Sequence, residues 1–303
     1  MSTVATSRFL DLRALAALEQ KRFTTRHRIE GTYSGRHTSR QLGGAGEFVD
    51  YREYTPGEDL RRLDWRVLAR TGRAYVRIFQ DETNLVCTML VDASRSMLMG
   101  SRNERDTTGS KLEYAQYLTT ALSHVITCGR DQVGLGIASS GLREYLAPAS
   151  TPTHATLLQE AIEQITTEPE TRLVDALEDL FGRNSRRGVL LLATDFLVDD
   201  LEALFAKIRL YRHRQWEVVC LHLVHPDEER LPEGGAFRFE GLENDGQVAC
   251  SPAEIRAAYQ ERFEIHLNAV RTFALATGCD YRLVSTAVPY LTTLGGFLVE
   301  RAG

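Results

Sequence analysis

The chain has 303 residues, of which 43% are hydrophobic and 25% charged, and its formal net charge is −5. That balance excludes a disordered, collagen-like or coiled-coil chain, and it offers no bulk attraction to nucleic acid or an anionic membrane. The five cysteines, at 87, 128, 220, 250 and 279, form no CxxC pair, which excludes a zinc ribbon or a thioredoxin-type motif. Scattered cysteines in odd number fit a reducing compartment and no structural disulfide. No uncharged apolar run reaches 18 residues, and the first 20 lack the pattern of a signal peptide. The expectation is a cytoplasmic protein without membrane insertion.

In chain order, Leu10 to Leu18 reads as a short helix and residues 31–46 as a glycine- and serine-rich loop. Residues 47–80 differ. Between 34 and 77, arginines at 36, 40, 52, 61, 62, 66, 70, 73 and 77 accompany aromatics at 48, 51, 54, 65 and 75, with a turn at Thr55-Pro56-Gly57-Glu58. This block is either a solvated ion-pair surface or an arginine-rich docking surface.

From residue 84 the pattern is α/β. Leu85 to Val91 is a buried-strand run, and Lys111 to Gly129 a helix with Leu112, Ala115, Leu118, Leu122 and Val125 on one face. Gln132–Ala138 and Leu142–Leu146, joined by Ser139-Ser140-Gly141, should pair antiparallel. Helices follow around 157–165, 173–181 and 201–208, with apolar strands at 188–194 and 216–224. Ser251-Pro252-Ala253-Glu254 has the form of a capping box before a long helix, and Tyr281 to Val284 closes the series as a strand. This alternation predicts a doubly wound, mostly parallel, Rossmann-like sheet over 81–303 with an N-terminal extension over 1–80. Such sheets place their chemistry at the carboxyl ends of the strands, here just after 91, 194 and 224.

Asp92-Ala93-Ser94-Arg95-Ser96 stands at the first of these ends and Asp195 at the second, with Thr171 at a helix start between them. Two carboxylates and three hydroxyls suit Mg²⁺ or Mn²⁺. Ser94, Ser96 and Thr171 would coordinate directly, and Asp92 and Asp195 would hold bound waters. So few direct anions leave the ion electropositive, with a position open to an incoming carboxylate. Dinucleotide and phosphate-loop fingerprints are missing, as are GxSxG and HExxH. His222 reads as a satisfied core histidine, and His225 lies near the ligand edge without a triad.

Asp92, Ser94, Ser96, Thr171 and Asp195 resemble the metal-ion-dependent adhesion site (MIDAS) of von Willebrand factor A domains. The block from Gly46-Glu47-Phe48 through Tyr54-Thr55-Pro56-Gly57-Glu58-Asp59, then Arg62-Leu63-Asp64-Trp65-Arg66 and Ala69-Arg70-Thr71, resembles the bacterial domain-of-unknown-function 58 family. That resemblance implies a von Willebrand factor A-like fold and a non-enzymatic, metal-dependent protein-binding module. It further implies an adaptor or cochaperone of a MoxR-type AAA+ ATPase, with a partner's Asp or Glu completing the metal shell. Glu170 and Phe196 stand where A domains commonly carry glycine. The competing expectation is a metal-dependent phosphoesterase using Asp92 and Asp195.

Overall fold

Apolar runs too long for a one-sided sheet form strands buried on both faces. The computed structural model describes residues 7–18, 23–24, 47–55, 63–80, 85–100, 109–169, 172–184, 187–235, 237–242 and 246–302. The expectations for residues 31–46, for most of the 55–58 turn, for Arg36, Arg40, Arg61 and Arg62, and for Thr171 and Glu170 lie outside these. The chain divides into two units: Met1–His27 with Leu85–Gly303, and Arg28–Asn84.

In the smaller unit, β1 (Glu47–Glu53) pairs antiparallel with β2 (Tyr75–Gln80). The connection carries α2 (Trp65–Thr71), whose first turn is capped by the Asp64 carboxylate accepting from the Arg66 and Val67 N–H groups. Gly72 ends it at φ 69°, the left-handed conformation glycine adopts without strain. Of the aromatics in this block, Tyr51 and Tyr75 meet edge to face, and Trp65 remains 59% exposed.

The larger unit opens with α1 (Leu12–Leu15) and a 3-10 turn at Ala16–Leu18. Its central sheet contains β3 (Val86–Asp92), β4 (Gln132–Ala138), β5 (Leu142–Ala149), β6 (Val189–Thr194), β7 (Glu217–Val224) and β10 (Asp280–Ser285). The order is β10-β7-β6-β3-β4-β5, parallel except for the edge strand β5. The expected antiparallel pairing of 132–138 with 142–146 is present, from Val133↔Ala149 to Ala138↔Leu142. Strands β6 and β3 approach closely at Gly188, where a Cβ would stand 2.3 Å from the Val86 carbonyl oxygen.

Helices cover both faces. One core contains Cys87, Met89 and Val91 with residues of α3 (Lys111–Cys128), α4 (Pro152–Glu163) and α9 (Tyr290–Ala302). The other contains Leu90, Leu190 and Leu192 with α5 (Leu173–Arg183), α6 (Leu201–His213) and α8 (Pro252–Ala276). Alternate residues of one strand feed the two cores, as the pleat requires. The N-terminal residues Leu15, Leu18 and Phe23 belong to the first core, so the described part of 1–27 clusters with the α/β unit and not with residues 28–84. They are held by Arg301 of α9. Its buried guanidinium donates from Nε to the Thr24 carbonyl (2.7 Å), from Nη1 to Asp280 (3.3 Å) and from Nη2 to Glu217.

Several local expectations are corrected. Ser251 closes no capping box: its side chain makes no cap hydrogen bond, although Pro252 does occupy the first helical turn. The capping box is at α7 (Pro226–Glu229), where the His225 ring accepts from the Asp227 N–H and the Glu228 carboxylate accepts from the His225 N–H. The series does not close at β10, because α9 follows it. A small hairpin, β8 (Phe237–Glu240) with β9 (Gln247–Cys250), had no forecast. Gly129 stops α3 with an ordinary φ of −73°, and the left-handed turn falls on Arg130 at φ 62°. Gln215, after α6, takes the same conformation at φ 62°. No disulfide joins any of the five cysteines, and Cys128 is exposed.

Candidate metal centre

The carboxyl ends of β3 and β6 bring Asp92, Ser94, Ser96 and Asp195 together, all of them buried. The loop after β3 turns sharply because Asp92 organises it: its Oδ1 accepts from the Ser94 N–H (2.9 Å). Its Oδ2 accepts from the Thr194 hydroxyl across the sheet (2.6 Å). A 3-10 turn at Arg95–Leu98 then brings Ser96 back, so that the Ser94 and Ser96 Oγ atoms stand 3.0 Å apart. The Ser96 hydroxyl also bonds the Asp195 carboxylate.

Asp195 Oδ1 accepts from the Leu197 N–H (3.1 Å), and its Oδ2 accepts from the Lys111 ammonium (2.7 Å). Lys111, the first residue of α3, also donates to Glu228 Oε1 on α7. Three segments that are distant in sequence therefore converge on one buried ion cluster. Burial pushes the Asp92 carboxyl up to about 6, with the nearby Asp195 charge adding to the shift. Burial alone would raise Asp195 too, but the Lys111 charge outweighs it and holds that carboxyl below the usual range. Lys111 is held above its ordinary value because Asp195 and Glu228 overcome the effect of burial.

Thr171 lies outside the described residues. On either side of it, the Glu168 N–H bonds the Ala93 carbonyl (3.0 Å) and the Arg172 N–H bonds the Ser139 carbonyl (2.6 Å). Glu168 accepts from the Ser139 and Ser140 hydroxyls, which lower its carboxyl pKa. Phe196, at the position where A domains commonly carry glycine, adopts φ 56°. A left-handed backbone is thus carried by a side chain ill-suited to it. The fully buried ring, stacked on Phe205 and edge-on to His222, holds the residue there. His222 is the satisfied core histidine expected, with Nδ1 at 2.9 Å from the Tyr281 hydroxyl.

The donor set can hold a hard divalent cation. In an octahedral Mg²⁺ shell with bonds near 2.1 Å, adjacent ligands lie about 3.0 Å apart. The two serine oxygens already have that separation. Among the described residues no cluster of three or more His, Cys, Asp or Glu able to hold a metal occurs. The candidate centre is one of hydroxyls backed by carboxylates.

Sequence reasoning missed Lys111, Thr194 and Glu228. Lys111 carried a signal: a basic residue at the first position of a helix opposes the helix dipole and favours a nearby anion. Glu228 follows the third strand end at which ligand chemistry was expected, just after Val224.

A family model described as "Protein of unknown function DUF58" matches residues 50–268. The chain belongs to the DUF58 family. This DUF58 chain is 26% identical over 242 residues to an uncharacterized protein of Mycobacterium tuberculosis (strain ATCC 25618 / H37Rv), covering 77% of this chain and 72% of the relative. A Mycobacterium bovis protein, also described as uncharacterized, matches with the same figures: 26%, 242 residues, 77% and 72%. Among solved structures, the conserved hypothetical protein BatB from Bacteroides thetaiotaomicron has a TM-score of 0.46 and 16% identity, over 72% of this chain and 99% of that one. A von Willebrand factor type A structure from Catenulispora acidiphila has a TM-score of 0.40 and 14% identity, over 73% of this chain and 42% of that one. The fold assignment rests on the strand order and helix layers above. Among the described residues, no helix is long and apolar enough to cross a membrane.

Proposed function

We propose that this DUF58 protein is a non-catalytic interaction module that docks an acidic side chain of a protein partner at the carboxyl edge of its sheet. The observation that carries the reading is the buried pair of serine hydroxyls, 3.0 Å apart and backed by Asp92 and Asp195. In this reading Ser94, Ser96 and Thr171 hold Mg²⁺ directly, and Asp92 and Asp195 hold its waters. The bound ion supplies an electropositive centre with a position open to a carboxylate. The chain's own part is to orient those hydroxyls: Asp92 fixes the loop through the Ser94 N–H and is itself fixed by Thr194. Leu98 and Leu197, two residues beyond Ser96 and Asp195, are 43% and 44% exposed and add apolar contact area suited to a protein partner. From the family resemblance, the partner proposed is a MoxR-type AAA+ ATPase, met in the cytoplasm, with this chain as adaptor or cochaperone.

The test is capture of the MoxR-type ATPase of the same genome by wild type, Asp92→Ala and wild type with chelator. Capture by wild type in Mg²⁺ alone supports the reading, and equal capture in all three refutes metal-dependent docking. Turnover of p-nitrophenyl phosphate that follows Mg²⁺ and is lost in Asp92→Ala would replace it with the phosphoesterase reading.

A further inference from the structure

A lysine with no exposed side-chain surface is rare, and Lys111 is such a residue. Its position makes it rarer. It occupies the first residue of α3, where the helix dipole disfavours a cation, and a buried ion cluster is seldom more stable than apolar packing of the same volume. A methionine would fill the site without either cost. The ammonium nonetheless bonds Asp195 from the end of β6 and Glu228 from α7, next to the serine pair. Its backbone N–H is tied to the Met99 carbonyl (3.0 Å), so the loop that begins at Ser94 also holds the lysine in place.

Resting on the metal reading above, we propose that Lys111 is a positioning residue that sets the cation affinity of the centre by cancelling one of its three carboxylate charges. Asp92, Asp195, Glu228 and Lys111 carry a formal charge of −2 together, the complement of one divalent ion. Without Lys111 the centre would hold a divalent ion more tightly but would repel the carboxylate it has to receive. Without Glu228 it would bind the ion too weakly. Removing or adding one unit charge a few ångströms from a divalent ion changes its affinity by about tenfold or more at the effective dielectric of a protein interior.

The experiment measures Mn²⁺ binding by calorimetry on the full chain, as wild type, Lys111→Met, Glu228→Gln, the double variant and Ser94→Ala/Ser96→Ala. Lys111→Met should bind Mn²⁺ about tenfold or more tightly than wild type, and Glu228→Gln about tenfold or more weakly. The double variant restores the formal charge of −2 and should return to within about threefold of wild type. That return is something a purely structural lysine would not produce. The serine variant should bind none. If Lys111→Met does not fold, Glu228→Gln and the double variant carry the comparison. The inference is overturned, and the metal reading stands, if both single variants weaken binding and the double does not recover. If neither wild type nor any variant binds Mn²⁺, the metal reading fails and this inference falls with it.

Discussion

Arg301→Met removes the cation that joins residues 24, 217 and 280 while keeping an apolar stem of similar length. Three interactions go: the bonds to the Thr24 carbonyl, to Asp280 and to Glu217. Asp280 keeps Arg282 Nε at 3.4 Å, so the burden falls on Glu217, which is 4% exposed. Breaking a buried ion pair from one side costs about 3–5 kcal/mol. The stacking of the guanidinium over Phe23 (4.7 Å) and Phe297 (5.2 Å) is lost as well, but a methionine sulfur recovers part of it against the same rings. A net loss of about 3–4 kcal/mol is expected, which is a large share of a typical folding stability of about 5–15 kcal/mol. It corresponds to a melting temperature lower by about 10 °C for a unit of this size. The assay is urea unfolding followed by fluorescence in a Trp65→Phe background, where Trp216, 2% exposed in the α/β unit, is the sole tryptophan. Adding Glu217→Gln should recover about 1 kcal/mol or more, because the buried carboxylate that lost the Arg301 cation is then neutral. A loss below about 1 kcal/mol, or a Glu217→Gln effect that adds to the first, would refute the account.

Phe196→Gly relieves a left-handed backbone worth about 1 kcal/mol but empties a ring site worth about 3–5 kcal/mol, so the variant should melt lower; a higher melting temperature would contradict this. Burial holds His222 down at about 3, against an ordinary 6.5, so the unfolded chain protonates it first. Its contribution is therefore present above pH 6.5 and lost as pH falls toward 3, by up to about 4 kcal/mol. His222→Leu should flatten the stability profile between pH 6.5 and 4, and an unchanged slope would rule this out. In thiol labelling of native protein, exposed Cys128 should react first, whereas Cys87, whose thiol is pushed up to about 12 by burial, should react only on unfolding. Labelling of Cys87 at the rate of Cys128 would contradict the burial.

The parts of the fold legible in the sequence were those written in short-range chemistry. Strands β3, β6 and β7 are buried on both faces and so read as predominantly apolar runs. The β4–β5 pairing followed from one Ser-Ser-Gly turn. Helix α9 was missed because Thr292, Thr293, Gly295 and Gly296 argue against helix locally, while Leu294, Phe297 and Leu298 secure it through packing that the sequence does not display. The smaller unit's hairpin was hidden because its two strands are separated by a helix. At the candidate centre, Asp92, Ser94, Ser96 and Asp195 could be found because strand ends are predictable places. The pairing of Lys111 with its anions could not, since they lie 84 and 117 residues away from it.

Among the described residues, the two other non-glycine residues in left-handed conformation, Arg130 and Gln215, lie in the turns that enter β4 and β7, at the end of the sheet opposite the serine pair. Arg130→Gly and Gln215→Gly therefore offer stability gains away from the candidate centre. The amino-terminal end of the sheet is thus the place to harden the protein for crystallisation or assay, away from the serine pair.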